Sequence, residues 1–197
     1  MINKQLFDST RLLSRQLAWQ LNHHQTRIVF AESCTAGLVS GILAQVPGIS
    51  KWLCGAVVTY QESLKQDWLR IDPTIIGEHT AVSPQVTDKM AEEILRLTPG
   101  AGISVAITGH LELAASRDAP LAYVSLAHRN NATICLCPAW RFKLVCRSRI
   151  NRQWEAARNA LHVAVEHFRF PPQETSTSVD WQKVLNDPGL LRWNHWM

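Results

Sequence analysis

Two nucleophile-bearing residues stand side by side in the stretch Ala31-Glu32-Ser33-Cys34-Thr35-Ala36-Gly37. The four residues before it, Arg27-Ile28-Val29-Phe30, are β-branched or aromatic, while Leu38, Ile42 and Leu43 after it recur at helical spacing, so the stretch is a turn from a buried strand into a helix. A hydroxyl at such a turn is a candidate nucleophile, because ligands bind at the carboxyl ends of strands in open α/β sheets. Free N–H groups at the start of the next helix attract anions or a developing oxyanion. Ser33 is therefore a candidate nucleophile, with Thr35, Ala36 and Gly37 as the cradle. Helix capping by Ser33 is the competing reading, since a cap satisfies backbone donors with no chemistry. Cys34 offers a thiol at the same helix start, or a small buried packing residue.

Other elements bring further chemistry to the same sheet edge. Gly55-Ala56-Val57-Val58-Thr59 is a short apolar run of the kind found in a sheet covered on both faces, and it delivers Tyr60 to its carboxyl end. Residues 62–69 read as a helix with Lys65 about one turn in; a solvated helix face is the bland alternative. Ser83-Pro84 starts another helix, with Val86, Met90, Ile94 and Leu97 as its buried stripe. Residues 102–109 form a third, wholly apolar strand ending in Thr108-Gly109. Residues 121–127, 132–137 and 142–146 read as successive antiparallel strands turned at Arg129-Asn130-Asn131. Residues 5–22 and a helix carrying Trp154, Ala157, Leu161, Val165 and Phe168 complete the covering layers. The expected fold is a three-layer α/β/α sandwich with a mixed, mainly parallel central sheet.

Glu32-Ser33-Cys34-Thr35-Ala36-Gly37, Val46-Pro47-Gly48, Val58-Thr59-Tyr60 with Lys65 five residues on, then His79 and Ala81-Val82-Ser83, follow in an order that resembles the C-terminal domain of the CinA competence/damage family. The resemblance covers about residues 5–168 and is most specific through Ser83. Stand-alone members are nicotinamide-mononucleotide deamidases, so it implies hydrolysis of that carboxamide to nicotinate mononucleotide and ammonia, with no cofactor and no metal. The family's serine nucleophile falls on Ser33, its tyrosine, which would relay or position the proton, on Tyr60, and its lysine on Lys65. A serine needs a base, and a lysine can be one when burial or nearby cations lower its pKa. Backbone N–H groups at Cys34 to Ala36 are candidate oxyanion donors. Thr108 and Gly109 would help hold the ligand. An arginine entering the last helix binds the phosphate in the family; Arg149 is the nearest match, with Arg147 and Arg152 as alternatives.

The chain departs from the family at residues 110–120, where a glycine- and proline-rich loop is replaced by His110-Leu111-Glu112-Leu113-Ala114-Ala115-Ser116-Arg117-Asp118-Ala119-Pro120. The glycines that let a backbone approach a phosphate are missing, and Glu112 would repel an anion that His110 and Arg117 would attract. A catalytically silent homologue that binds a nucleotide or a protein is the rival reading.

The 197 residues suffice for one ordinary domain, 1–170, followed by a Trp-rich tail, 171–197, whose Trp181, Trp193 and Trp196 are expected to dock on the domain or a neighbouring subunit. A net charge of +4 suits an anionic small-molecule substrate. No long apolar run or signal-peptide pattern is present, which points to a cytoplasmic protein without a membrane partner. Five cysteines in no Cys-x-x-Cys pair indicate neither a disulfide framework nor a zinc site. A basic cluster at Lys143, Arg147, Arg149, Arg152 and Arg158 lacks interleaved aromatics, which disfavours nucleic acid. The resemblance further implies a homodimer.

Overall fold

The computed structural model describes residues 1–112 and 120–169. Arg117 and the tail with Trp181, Trp193 and Trp196 lie outside the described residues. The elements run α1 (Lys4–His23), β1 (Ile28–Glu32), α2 (Leu38–Ala44), β2 (Leu53–Val58), α3 (Glu62–Leu69), α4 (Pro73–His79), α5 (Pro84–Leu97), β3 (Ile103–His110), β4 (Leu121–Asn130), β5 (Thr133–Lys143) and α6 (Arg149–Arg169).

The five strands lie in the order β2-β1-β3-β4-β5. Parallel ladders join β2, β1 and β3, and antiparallel ladders add β4 and β5. Side chains alternate across each strand, so the two faces build separate cores. Ile28 and Phe30 of β1, with Ile103, Val105 and Ile107 of β3, meet α1, α2 and α6. On the other face Val29, Ala31 and Ala106 meet Val86, Met90, Ala91, Ile94 and Leu95 of α5. The result is a three-layer α/β/α sandwich.

Small and hydroxylated residues let α5 lie close to β3. Ser104 Oγ donates to the Ala91 carbonyl at 2.6 Å, and the Thr108 and Thr87 hydroxyls share a hydrogen bond of 2.7 Å. Ser83 caps α5 by accepting from the Val86 N–H, with Pro84 at the first helical position. This agrees with the sequence pattern.

Three expectations need correction. The apolar run ending β2 is not covered on both faces. It forms an edge strand in which Cys54 and Ala56 are exposed, and the ladder to β1 skips Cys54. In place of separate strands at 132–137 and 142–146 there is one strand, β5, from Thr133 to Lys143, interrupted only by a register shift opposite Ser125, and residues 144–146 lie beyond it. Pro138 sits at that irregularity on an edge strand, where its missing N–H costs least. The hairpin turns one residue later than expected, since Asn130 still pairs with Thr133 and Asn131 takes the left-handed conformation with φ 55°. The short helix α4 adds to the elements expected from the sequence, with Asp72 as its cap and Pro73 as its first residue.

Candidate active site

The chain leaves β1 through α2 to reach β2 on one side, then passes through α5 on the opposite face to enter β3 on the other side. The strand order therefore reverses at the carboxyl ends of β1 and β3, the usual place for a ligand in such sheets. Ser33 follows the last residue of β1 there. The Ser33 N–H donates to the Ile107 carbonyl at 3.1 Å, extending the β1–β3 ladder by one residue.

Lys65 comes to Ser33 from α3. Its Nζ is 3.2 Å from Ser33 Oγ and donates to the Thr59 carbonyl at 2.8 Å. The Lys65 side chain is almost wholly enclosed, at 2% exposure. Burial pushes its pKa below the ordinary lysine value, only partly opposed by Cys34 and Glu62. The two contacts hold Nζ beside the Ser33 hydroxyl.

The turn after Ser33 is backbone-strained. Ala36 takes φ 52° and Gly37 φ 90°, both left-handed, although only glycine does so freely. The N–H of Ala36 donates to the Ser33 carbonyl and that of Leu38 to the Thr35 carbonyl. Here the expected anion cradle needs revision, because α2 begins later and its first turn is already occupied. The buried Glu32 carboxylate accepts from the N–H groups of Val39 at 3.1 Å and Ser40 at 2.9 Å, and from Ser40 Oγ at 2.7 Å. A carboxylate there satisfies the donors and the helix dipole together. The N–H groups of Cys34 and Thr35 donate to no other described residue. Thr35 Oγ1 and Thr59 Oγ1 are buried without a hydrogen-bond partner among the described residues. Glu32→Ala is expected to cost about 2–4 kcal/mol by stranding the α2 donors. A lowered denaturant midpoint at unchanged slope would show this.

Tyr60 and Arg149 form a second group. Tyr60 is 48% exposed, and its hydroxyl accepts from Arg149 Nη2 at 2.8 Å; no hydrogen bond joins it to Ser33 or Lys65 among the described residues. Arg149 Nη1 pairs with Glu112 Oε1 at 2.6 Å. Arg152, in contrast, is 4% exposed and donates to the carbonyls of Cys146, Leu111 and Arg147. Those bonds make it a clamp between α6 and the end of β3, and leave Arg149 as the outward-facing guanidinium. With Arg152 buried and Arg149 paired, the basic cluster is not one continuous surface. Thr108 points to Thr87 of α5, while a Cβ on Gly109 would come within 2.6 Å of the Leu121 carbonyl and 3.1 Å of Cys34 Sγ. Burial pushes the Cys34 thiol up to about 12, which keeps it protonated and a poor nucleophile. His79 ends α4, half exposed beside Glu78.

The family model of the CinA C-terminal domain matches residues 10–167. The chain belongs to the CinA C-terminal domain family. A CinA-like protein of Mycobacterium tuberculosis is 47% identical over 83 residues, covering 42% of this chain and 19% of that protein. One from Syntrophotalea carbinolica is 37% identical over 97 residues, covering 49% and 23%. The matched stretches thus span about a fifth of those CinA-like proteins' own length. Among solved structures, a CinA superfamily protein from Klebsiella pneumoniae superposes with TM-score 0.72 at 24% identity, covering 81% of this chain and 98% of its own. The competence/damage-inducible protein CihA from Agrobacterium tumefaciens gives 0.71 at 24%, covering 84% and 98%. These structures establish a shared CinA fold.

Three residues of this CinA domain make contacts at the site that differ from anything their sequence positions suggested. Glu32 reaches forward to the α2 donors, Gln153 Nε2 donates from α6 to the Thr35 carbonyl at 3.0 Å, and Arg152 binds the Leu111 carbonyl. Glu32 alone was accessible in principle, as an acid placed just before a helix start.

Proposed function

We propose that this chain is an amidohydrolase that converts nicotinamide mononucleotide to nicotinate mononucleotide and ammonia. The observation that carries the reading is the buried Lys65 amine 3.2 Å from Ser33 Oγ at the carboxyl end of β1. In this mechanism neutral Lys65 takes the Ser33 proton as Oγ attacks the carboxamide carbon. The resulting oxyanion faces the Cys34 and Thr35 N–H groups. The tetrahedral species collapses as the protonated Lys65 returns its proton to the leaving nitrogen, releasing ammonia and an acyl-serine. Water, deprotonated by the same amine, then hydrolyses the ester to the carboxylate and frees Ser33.

Arg149 supplies the phosphate contact, with Tyr60 holding its guanidinium from one side. Thr35, Ala36, Gly37, Thr108 and Gly109 shape the pocket, and Cys34 packs behind it. A homodimer in the cytoplasm belongs to the same proposal. Incubation with nicotinamide mononucleotide, followed by mass analysis of the product and an ammonia assay, tests the reaction; nicotinamide riboside serves as the phosphate-free control. Conversion of the nucleotide but far less of the riboside supports both the reaction and the Arg149 role. Unchanged substrate contradicts the reaction.

A second reading is favoured by one contact, the Arg149–Glu112 ion pair, which neutralises the cation assigned to phosphate. A chain of this kind would bind nucleotides weakly and turn nothing over. Under the amidohydrolase reading the phosphate displaces Glu112. Glu112→Ala is then expected to tighten nucleotide binding about two- to fivefold, matching the ~1 kcal/mol or less of an exposed ion pair. Calorimetry of parent and variant measures this directly.

A further inference from the structure

On the far side of the sheet from α5, away from Ser33, three metal-ligating side chains converge from three different elements. His128 comes from β4, Cys137 from β5 and His167 from the last turn of α6, and one ligand atom of each lies within 4.8 Å of the other two. Cys137 Sγ is 4.0 Å from His128 Nδ1, and the His128 and His167 rings have centroids 5.0 Å apart. All three residues are half-buried, so an ion could enter from solvent and lose part of its water. We propose that His128, Cys137 and His167 form a binding site for a borderline divalent transition metal of the zinc class, with water as the fourth ligand.

The donor set selects the ion. Two imidazoles and one thiolate suit zinc, cobalt or nickel, and do not suit the all-oxygen preference of magnesium or calcium. A tetrahedral ion with bonds of about 2.0–2.3 Å holds its ligand atoms roughly 3.3–3.6 Å apart. The observed spacing needs closing by about 1 Å, within reach of side-chain rotation. On binding, the Cys137 thiol gives its proton to solvent and the S–metal bond forms, with no change of oxidation state. The ion would fasten edge strand β5 to the end of α6, so it stabilises the folded chain. The linear cysteine spacing hid this site. The cross-strand register brings Cys137 diagonally opposite His128, and Cys135, directly opposite His128, lies outside the three-atom cluster.

The test uses the full chain, stripped with a chelator and titrated with Co²⁺ as a coloured probe. A thiolate-to-cobalt charge-transfer band that saturates at one ion per chain is expected. It should vanish in Cys137→Ser and persist in Cys135→Ser. His128→Gln and His167→Ala should each weaken binding at least tenfold. Addition of Zn²⁺ should displace the cobalt and raise the melting temperature of the parent but not of Cys137→Ser. Absence of a band in the parent, or a band undiminished in Cys137→Ser, overturns the proposal.

Discussion

Lys65→Met is expected to cut ammonia release from nicotinamide mononucleotide by about 10⁴-fold, as loss of one member of a nucleophile–base unit does. Ser33→Ala should cost about as much, and the double variant no more than either, because neither residue works alone. The same variant carries a stability signature that a structural lysine would not give. Methionine keeps the aliphatic volume and removes a cationic group from an enclosed position, so Lys65→Met is expected to be at least as stable as the parent near neutral pH, by up to about 1–3 kcal/mol. Its sign follows from linkage. Burial lowers the folded-state pKa of Lys65, so between that value and the ordinary lysine pKa the unfolded chain binds more protons. The stability of the parent therefore rises with pH across this window relative to the variant, and below it the fold bears the full cost of a buried ammonium. Activity should run the same way: kcat/KM climbs with pH as Lys65 loses its proton and levels off below the pH at which an ordinary lysine would titrate. Chemical unfolding and rate profiles over the same pH series measure both. A strongly destabilised Lys65→Met would reassign Lys65 to a structural role.

The second large effect separates two arginines three residues apart. Arg152→Met is expected to lower stability by about 3–5 kcal/mol, because the guanidinium is buried and its loss strands the carbonyls of Leu111, Cys146 and Arg147. Arg149→Met should change stability by less than about 1 kcal/mol, since its Glu112 and Tyr60 partners are exposed to water. It should instead raise KM for the nucleotide by about tenfold or more through loss of a charge-assisted phosphate contact. Denaturant titration of both variants, with KM measured for Arg149→Met, decides the matter. Equal destabilisation by the two substitutions would contradict the division of labour.

Local chemistry made much of the fold legible. The strand-to-helix turn at Ser33, the Ser83-Pro84 start of α5 and the 62–69 helix all announce themselves by capping residues or periodicity, whose signals act within one or two turns. What escaped depends on partners far apart in the chain. The Glu32 carboxylate looks like any acid in a turn until α2 curls back over it. Arg152 resembles a solvated helix start until the Leu111 carbonyl, 41 residues away, is brought against it. The edge position of β2 follows from strand order, which an apolar run does not encode, and β5 runs through Pro138 because an edge strand tolerates the missing N–H. At the site itself, local patterns nominated Ser33. Lys65 and Tyr60 depended on the family order, and the ion pair that engages Arg149 emerges only when Glu112 and α6 meet.

The proposed activation of Ser33 by Lys65 is tested by ammonia release from nicotinamide mononucleotide by the purified parent chain, measured beside Ser33→Ala and Lys65→Met. Steady turnover is expected in the parent and essentially none in either variant, with all three chains folded. A folded parent that releases no ammonia, or a Ser33→Ala chain that retains the parent rate, would contradict it.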